Sequence, residues 1–387
     1  MGERTMRIAL VSPYDWSVPS GVNRHIGQLG TKFRQWGHEV TILAPASDPE
    51  EAEGDCVVMG RPTPVPASGS MARISFTWKG RAIESLLGEG AFEVVHLHEP
   101  LMPLLPYQVL RHSQAANVGT FHAAKDGGNR FYGYSRPLIR RWFRRLDGKI
   151  AVSPAAARLV GRYFPGYFNL IPNGIDFGHF AGEHEPLPEF DDGCFNLLFV
   201  GRPEKRKGLK YALRAFRRIR ETEPQSRLIV VGAGSFRRYE RIVGPDENVA
   251  FRSNVPYGEL PRYHHSAHAF CSPATGNESQ GIALLEAMAA RLPVVASNIE
   301  GFAGVITNEV DGLLVPPKDD GALAEAVLRL RHDGDLREAL AEQGQAQAAH
   351  YSWENVARRV MAYYERLLYE RGQVAESQAA EEEPARA

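Results

Sequence analysis

The sequence predicts an α/β protein of two domains, each a parallel β-sheet covered by helices. The chain has 387 residues, which is long for one domain and enough for two of about 100–200 residues each. Apolar strand candidates alternate with loops and amphipathic helices along its length, a pattern typical of parallel sheets. Residues 179–193 are rich in proline, glycine and acid, and they indicate a linker between the two domains.

The individual elements follow from apolar periodicity and turn residues. In the first half, strands are predicted at residues 7–12, 40–44, 94–98, 118–122 and 150–153, and in the second half at 197–200, 228–231, 249–252, 269–272, 294–296 and 313–315. The first helix places Val22, Ile26, Leu29, Phe33 and Trp36 on one face and ends at Gly37.

These elements define the expected domain limits. We expect an N-terminal domain over residues 6–178, a linker over 179–194 and a second domain over 195–350. A helix over residues 351–372 carries enough aromatic side chains to dock on another surface, such as the first domain. Residues 373–387 have no apolar period and are predicted to be disordered.

Composition narrows the functional classes. The 45 basic and 46 acidic residues give a formal net charge of -1, so no global charge favours nucleic acid. The cysteines, Cys56, Cys194 and Cys271, form no CxxC pair, which excludes a disulfide scaffold or a cysteine zinc site. No run approaches the ~18 apolar residues of a membrane span, and no signal-peptide layout is present. We expect a cytoplasmic protein, either free or bound at the inner face of the cell membrane.

Two loops that follow strands could bind phosphate, at the sheet edge where open parallel sheets take their ligands. After the first strand, Ser20 and Gly21 open a helix whose N–H groups could approach a phosphate, although a tight turn has the same sequence. In the second half, the loop GRPEKRKG carries four cations that would neutralise a diphosphate, or that could simply be solvated. These cations are Arg202, Lys205, Arg206 and Lys207.

The segment SPATGNESQGIALLEAMAA carries two glutamates around a predicted helix start near Gln280. Glu278 and Glu286 are eight positions apart, about 12 Å at ~1.5 Å per residue. The free N–H groups near Gly281 and Ile282 form an anion site between them. A nucleotide sugar has this layout of hydroxyls, diphosphate and ribose. The alternative is a capped amphipathic helix with ordinary glutamates.

Histidines end two strand candidates of the first half, His98 in VVHLH and His122 in VGTFH. Both should face the same edge of the sheet, where they could be structural, catalytic or metal ligands. No Asp-x-Asp motif accompanies them, because Asp191–Asp192 lies in the predicted linker and Asp319–Asp320 is typical of a helix start. We therefore expect no required metal, with the basic loop supplying the positive charge.

Taken together and in this order, PSGV, HEP, TFH, IPNGID, GRPEKRKG and ESQGIALLEAMA resemble the family 4 retaining glycosyltransferases of GT-B fold, over about residues 6–370. Within that family the chain looks most like the bacterial phosphatidylinositol alpha-mannosyltransferases. The shared features are VxPY near the start, GSxAR at residues 69–73, HEP and the late YSWENV. The resemblance implies two Rossmann-like domains whose parallel sheets face each other across a cleft.

The resemblance also implies roles for single residues. His122 would lie beside the reacting centre, Glu278 would meet the hydroxyls of the transferred sugar, and Glu286 would meet the ribose. The catalytic set is then His122, Glu278, Arg202 and Lys207; the donor-binding set is Gly21, Arg202, Lys207, Glu278, Gly281, Ile282 and Glu286; and the acceptor side is lined by Tyr14, Ser70 and Arg73. Asn173–Gly174 is interpreted as a structural turn.

The implied mechanism is front-face attack by an acceptor hydroxyl, with the leaving phosphate taking its proton. The protein would stabilise charge on the diphosphate, and no cofactor is needed beyond the donor, GDP-mannose or a UDP-sugar. Three functional classes stay open: a transferase with a lipid-linked acceptor, one with a soluble or polysaccharide acceptor, and an epimerase, phosphorylase or non-catalytic scaffold of the same fold. The oligomeric state stays open too.

The chain departs from the family pattern on the acceptor side. Ser20 replaces a glycine, Ser75 replaces an arginine, and the usually basic helix that follows has only Lys79 and Arg81 as cations. Near the base of the donor, Tyr257 and Leu260 replace an acidic and a basic residue.

A different segment could restore contact with an anionic membrane. In residues 135–149, arginines alternate with apolar side chains, as in helices that lie on anionic lipid. The membrane contacts would be Arg140, Arg141, Arg144 and Arg145, beside Trp142 and Phe143. The alternative is a helix with its apolar side in the core and its arginines in water.

Overall fold

The computed structural model describes residues 4–18, 20–50, 52, 56–67, 70–75, 79–125, 127–243 and 248–382. The chain divides into two compact units, Met1–Pro172 with Trp353–Ala387, and Asn173–Ser352. The division therefore falls at residues 172–173 rather than within the predicted linker. Residues 179–193 belong to the second unit because Phe180 and Phe190 are buried in its core.

The first unit contains a seven-stranded sheet in the order β3-β2-β1-β6-β7-β8-β9 and a separate two-stranded ribbon, β4-β5. Its strands are β1 (Arg7–Val11), β2 (Glu39–Ala44), β3 (Cys56–Val58), β4 (Pro62–Ala67), β5 (Ser70–Ser75), β6 (Val94–His98), β7 (Ala116–Phe121), β8 (Gly148–Ala151) and β9 (Asn169–Leu170). Its helices before residue 172 are α1 (Gly21–Gln35), α2 (Gly80–Gly90), α3 (Leu105–His112), α4 (Arg130–Tyr134), α5 (Arg136–Phe143) and α6 (Pro154–Gly161).

The second unit contains a six-stranded sheet in the order β12-β11-β10-β13-β14-β15. Its strands are β10 (Phe195–Val200), β11 (Ser226–Gly232), β12 (Val249–Ser253), β13 (Ala269–Ser272), β14 (Val294–Ser297) and β15 (Leu313–Val315). Its helices are α7 (Phe177–Ala181), α8 (Leu209–Thr222), α9 (Arg237–Val243), α10 (Leu260–His265), α11 (Ile282–Ala289), α12 (Glu300–Ala303), α13 (Asp320–His332) and α14 (Gly334–Ala349).

Every strand that the sequence predicted is present, and all pairs of neighbouring strands in the two large sheets are parallel. The sequence missed β3, β4, β5 and β9. Two of these, β3 and β9, are short strands at the edges of the sheet. The ribbon was missed because Pro62, Pro64 and Pro66 recur in β4, and proline cannot donate to a ladder in a central strand.

The strand order reverses at one place in each sheet. In the first sheet, β1 lies between β2 and β6, and in the second, β10 lies between β11 and β13. Open α/β sheets bind ligands beyond the carboxyl ends of the strands at such a point. Ligands are therefore expected at the loops after β1 and β6 in the first unit, and after β10 and β13 in the second.

The C-terminal helix α15 (Trp353–Glu382) belongs to the first unit. Val356, Val360 and Tyr364 are buried in one apolar cluster with Ile8 and Phe33. The helix continues to Glu382, where the sequence predicted a disordered tail from residue 373; alanine, glutamate and glutamine favour helix there without any apolar stripe. Within the described residues, no helix is both long and apolar enough to span a membrane.

Candidate active site

In the second unit, the loop after β10 brings two cations against one carboxylate. We call residues 201–208 the basic loop. Lys207 Nζ lies 2.7 Å from Glu278 Oε1, and Arg206 Nη1 lies 2.6 Å from the same oxygen. The side chain of Glu278 is only 9% exposed. The structure thus joins Lys207 with Glu278, two residues of the predicted site, and adds Arg206, which the predicted site left out.

Arg202 lies apart from this contact. Its guanidinium is 3.0 Å from the carboxylate of Glu204 and is half exposed. Glu204 also contacts Arg206 at 2.8 Å, so it holds both arginines on the loop. Arg206, rather than Arg202, thus accompanies Lys207 in contact with Glu278, and the assignment of Arg202 and Lys207 to the donor diphosphate stays a prediction.

Glycines let the basic loop approach the neighbouring strand ends. Gly208 has a φ of +76°, and a Cβ there would lie 1.8 Å from the carbonyl oxygen of Pro273. The Thr275 N–H donates to the carbonyl oxygen of Arg206 at 2.8 Å. A side chain at residue 208 would push the loop away from the β13 loop, and so separate the cations from Glu278.

The segment after Glu278 differs from its prediction in one respect. Helix α11 begins at Ile282 rather than near Gln280, because Gly281 adopts a φ of +78°, which is incompatible with a right-handed helix. A Cβ at Gly281 would lie 2.7 Å from the ring of Phe302. Helix α11 therefore begins four residues after Glu278, and Glu286 is buried within the helix at 6% exposure.

A buried pair of amide side chains, which the sequence pattern hardly indicates, holds this segment in place. The Gln280 side-chain oxygen accepts from Asn173 N at 2.6 Å and from Asn173 Nδ2 at 3.0 Å, and Gln280 Nε2 donates to Asn173 O at 2.9 Å. Asn173 belongs to IPNGID, so the turn there positions the loop that carries Glu278. The only signal was that both motifs recur in the resembled family.

In the first unit, parallel neighbours bring His98 and His122 to one edge of the sheet, as predicted. The Nδ1 of His98 lies 2.9 Å from the Nε2 of His122. His25 on α1 completes a cluster with ring centroids 5.1 Å and 4.9 Å from these two rings. His25 was missed because it sits inside an amphipathic helix, between the apolar positions Val22 and Ile26.

These imidazoles are the one group among the described residues that is spaced to hold a metal ion, with ligand atoms within 4.8 Å of one another. Burial, and then the neighbouring histidines, lower the pKa of His98 well below its usual range. Burial, and then His122, lower the pKa of His96 to about 3; this histidine bonds Thr120 and Tyr364 behind the cluster. His96 and His98 are therefore uncharged near neutral pH.

The carboxylate of Glu99 binds the backbone at His122. Its Oε1 accepts from the His122 and Ala123 N–H groups, both at 2.8 Å. Burial raises the pKa of Glu99, although these two N–H groups act against the shift. Glu99 also adopts a φ of +48°, which is uncommon for a residue other than glycine and is typical of functional sites.

The start of α1 has an exposed backbone. A Cβ added at Gly21 would meet no described atom within 4 Å, so an anion could approach there. Ser20 Oγ caps the helix by accepting from Asn23 N at 3.1 Å. The amide of buried Asn23 donates to Asp15 O and Val18 O, and so ties the preceding loop to the helix.

One of the predicted acceptor residues, Arg73, lies in strand β5, and another, Tyr14, pairs with that strand. Tyr14 bridges Ile74, and the Asp15 N–H donates to Arg73 O at 3.0 Å. Burial, and then Glu99, raise the pKa of Tyr14, so its hydroxyl stays protonated. The Arg73 guanidinium is 3.5 Å from Asp15 and half exposed. Ser70 starts β5, but its side chain and Gly69 lie outside the described residues.

Helix α5 divides its side chains between core and solvent. Ile139 and Phe143 are buried, and Trp142 stacks on Tyr107 with ring centroids 5.2 Å apart. Leu138, in contrast, is 63% exposed. The arginines that the sequence proposed for membrane contact, Arg140, Arg141, Arg144 and Arg145, are all exposed. Trp142 and Phe143 therefore face the protein, and Leu138 with Tyr134 on α4 supplies the exposed apolar surface.

The chain matches two family descriptions. Residues 19–179 match Glycosyltransferase Family 4, and residues 184–347 match Glycosyl transferases group 1. The chain is 34% identical to the phosphatidyl-myo-inositol mannosyltransferase of Mycobacterium leprae over 366 residues, which covers 93% of this chain and 96% of the relative. It is 33% identical to the enzyme of that name from Propionibacterium freudenreichii, covering 93% and 94%.

Solved structures show the same fold at lower identity. The sucrose-phosphate synthase of Thermosynechococcus elongatus aligns with a TM-score of 0.74 at 22% identity, over 94% of this chain and 99% of that one. Anabaena HepE in complex with UDP and glucose aligns with a TM-score of 0.72 at 16% identity, over 92% and 99%. Fold and site define a glycosyltransferase of the GT-B class. Its similarity to the curated relatives places the chain in glycosyltransferase family 4.

Proposed function

We propose that this protein moves a mannosyl residue from a nucleotide-diphosphate sugar to a hydroxyl of a lipid-linked, phosphatidylinositol-like acceptor. The observation that carries the proposal is the contact of Lys207 and Arg206 with Glu278 at the end of the second sheet. Two cations on a largely buried carboxylate form a site whose positive charge is only partly compensated, as a diphosphate requires.

The donor diphosphate would take up the remaining charge of the basic loop. Arg206 and Lys207 are each about three-quarters buried, so their attraction to a phosphate is screened less than at an open surface. Arg202, which is half exposed, can turn towards the same group. The N–H groups at Gly281 and Ile282 would meet the diphosphate, and Glu286 the ribose.

Glu278 would take a second role when the donor binds. While Lys207 and Arg206 hold it, its carboxylate oxygens can accept hydrogen bonds from hydroxyls of the transferred sugar. These hydrogen bonds strengthen transition-state binding if the sugar distorts as the glycosidic bond loosens.

The first unit would supply an uncharged environment for the reacting centre. His122 is held by its contact with His98, and its N–H by Glu99. The imidazole of His122 would then contact a hydroxyl of the transferred sugar beside the anomeric carbon. Gly21 would approach the diphosphate, and Tyr14, Ser70 and Arg73 would line the acceptor side.

We infer a retaining reaction that needs no metal. The acceptor oxygen forms the new bond to the anomeric carbon on the face that the phosphate leaves, and the departing phosphate oxygen takes the acceptor's proton. No protein nucleophile is required. The protein stabilises the charge that develops on the diphosphate, through Arg206, Lys207 and the helix N–H groups.

A lipid-linked acceptor would require the protein to contact a membrane, and we propose that the region of α5 makes this contact. The exposed cations Arg140, Arg141, Arg144 and Arg145 accompany exposed Leu138 and Tyr134, a combination that would bind anionic lipid, where each cation contributes about 1 kcal/mol. We call these six side chains the α5 surface. Binding there would hold the protein at the inner face of the cell membrane.

A donor and acceptor screen tests the proposal. Purified protein is incubated with GDP-mannose and with UDP- and ADP-sugars, while thermal stabilisation and slow donor hydrolysis are measured. The favoured donor, carrying a labelled sugar, is then added with phosphatidylinositol vesicles or with soluble glycans. We expect GDP-mannose to stabilise the protein and the label to enter the lipid. Label that enters only soluble glycans would contradict the lipid acceptor, and a Lys207→Ala variant serves as the inactive control.

A further inference from the structure

The second unit has another concave surface, and of its lining residues only Lys205 belongs to the basic loop. A cavity of about 600 Å³ lies between α8 and α9. Six cationic side chains line it, and its described lining contains no carboxylate. The cations are Lys205, Lys210, Arg214, Arg217, Arg238 and Lys318.

None of these cations forms an ion pair with another described residue, whereas nearby arginines do. Arg218, on the same helix, contacts Asp320 at 2.9 Å, and Arg206 contacts Glu204 and Glu278. Within the cavity, Arg217 donates only to the carbonyl oxygen of Ile242, and Lys210 lies over the ring of Tyr211. Like charges gathered in one concavity repel each other, so an anion that enters it is stabilised.

The size and chemistry of the cavity define its ligand. Its volume lies within the ~300–1,000 Å³ range of small-molecule sites. Arginine binds phosphate through paired N–H groups, and lysine binds it as a point charge. A single phosphate would leave most of six cations uncompensated, so the ligand should carry several negative groups.

The cavity adjoins the basic loop. Lys205 lines it, and the next two residues of the loop, Arg206 and Lys207, contact Glu278. Thr275 also lines it and donates its N–H to the Arg206 carbonyl oxygen at 2.8 Å. A ligand that draws Lys205 inwards therefore acts on the segment that positions the two cations of the donor site.

We propose that this cavity binds a small anion with two or more phosphate groups, and that its occupancy changes the nucleotide affinity of the adjoining site. The phosphate groups could belong to a soluble molecule or to a lipid headgroup. Binding at the cavity does not depend on the transferase activity proposed above.

Inorganic tripolyphosphate is the probe, titrated calorimetrically into the full-length protein. The cavity variant carries Lys210→Gln, Arg214→Gln and Arg238→Gln. Its control carries Arg218→Gln, Arg329→Gln and Arg331→Gln, an equal loss of charge at exposed positions of the same unit. A donor-site variant, Arg206→Gln with Lys207→Gln, separates the two sites, because tripolyphosphate could also bind there.

We expect tripolyphosphate to bind at the cavity in the donor-site variant and in the control. Its affinity for the cavity should be at least tenfold lower in the cavity variant. Nucleoside diphosphate should show the reverse preference, binding the cavity variant but not the donor-site variant. In wild type, tripolyphosphate bound at the cavity should shift nucleoside diphosphate affinity at least twofold. The proposal is overturned if the cavity variant and its control bind both probes equally, or if occupancy leaves nucleotide affinity unchanged.

Vesicle sedimentation identifies the source of the phosphate groups. Both the cavity variant and its control here also carry Arg140→Gln, Arg141→Gln, Arg144→Gln and Arg145→Gln, so that the α5 surface does not contribute. If the cavity variant then fails to bind vesicles that contain phosphatidylinositol bisphosphate while the control binds them, the ligand is a lipid headgroup. If vesicle binding is equal in both proteins while tripolyphosphate binding is lost in the cavity variant, the ligand is a soluble anion. Equal binding in both assays would contradict the assignment of the cavity.

Discussion

The two units place opposite kinds of chemistry at the ends of similar parallel sheets. In the second unit the site is charged, with Lys207 and Arg206 on Glu278. In the first unit, His98 is fully buried and its pKa is lowered, so the site is largely uncharged. One sheet edge is therefore suited to hold a diphosphate, and the other to contact sugar hydroxyls without adding charge.

This difference shows that the topology of a sheet does not determine whether the site at its edge is charged or uncharged. Both sheets reverse their strand order at a central strand, and both bring their loops to its carboxyl end. The loop after β10 carries four cations in seven residues, whereas α1 and the ends of β6 and β7 contribute imidazoles that are mostly buried. Burial lowers the pKa of His96 and of His98, so these two imidazoles stay neutral.

The largest expected effect comes from removing a cation that contacts Glu278. Lys207→Ala and Arg206→Ala should each lower kcat/KM, because both charges would face the leaving diphosphate. The loss should correspond to about 2–4 kcal/mol of transition-state stabilisation. Steady-state kinetics with the natural donor and acceptor measure the loss. Arg202→Ala should have a smaller effect, since its guanidinium is half exposed.

Arg291→Ala is the matched control, because it removes an exposed arginine of the same unit that contacts Glu338. Turnover by Lys207→Ala at the wild-type rate would show that the charged site is not the donor site.

The two glutamates should separate catalysis from binding. Glu278→Gln should mainly lower kcat, because its contact with the sugar matters most as the ring distorts. Glu286→Gln should mainly weaken nucleotide binding, by about tenfold, through the lost contact with the ribose. Calorimetry with nucleoside diphosphate alone isolates the second effect, and unchanged affinity in Glu286→Gln would refute the ribose role.

Because His96 is buried and neutral, the stability of the first unit should fall at acidic pH. The pKa of His96 is about 3 in the folded protein, against ~6.5 for an unperturbed imidazole, so the unfolded chain binds more protons between these values. Stability is then lost as the pH falls below ~6.5. Denaturant unfolding at pH 7, 6 and 5 should show this loss, and His96→Gln should show a shallower dependence. An equal slope in both proteins would mean that other groups cause it.

The α5 surface should affect membrane binding but hardly affect the chemistry. Changing Arg140, Arg141, Arg144 and Arg145 to Gln should abolish sedimentation with anionic vesicles, yet leave hydrolysis of the bare donor within about twofold of wild type. Wild-type binding should rise with anionic lipid and fall steeply with salt, because the Debye length shrinks to about 3 Å at 1 M. Absence of wild-type binding at low salt would favour a soluble acceptor.

The smallest expected effect concerns metals. If the cations of the basic loop supply the charge that a metal would otherwise provide, EDTA should leave turnover unchanged. Loss of activity on chelation, with recovery on adding zinc or magnesium, would contradict this prediction. His25→Gln would then show whether the histidine cluster holds the ion.

The sequence was sufficient for the fold and for part of the site. Every predicted strand is present because apolar runs bounded by turn residues are local signals. Lys207 and Glu278, which the sequence singled out, are in contact because each follows a strand that ends at the same edge of the sheet. Arg206 was passed over because nothing in GRPEKRKG shows which of four cations points towards the glutamate.

What the sequence alone determined about this protein is its class: two parallel α/β units, a basic loop, a glutamate pair and histidines at strand ends. Tertiary structure decided the rest. It placed residues 179–193 in the second core through Phe180 and Phe190, added His25 to His98 and His122, and turned Trp142 and Phe143 inwards. These outcomes depend on contacts between residues far apart in the chain, and local periodicity carries no record of which distant side chains will cover a given face.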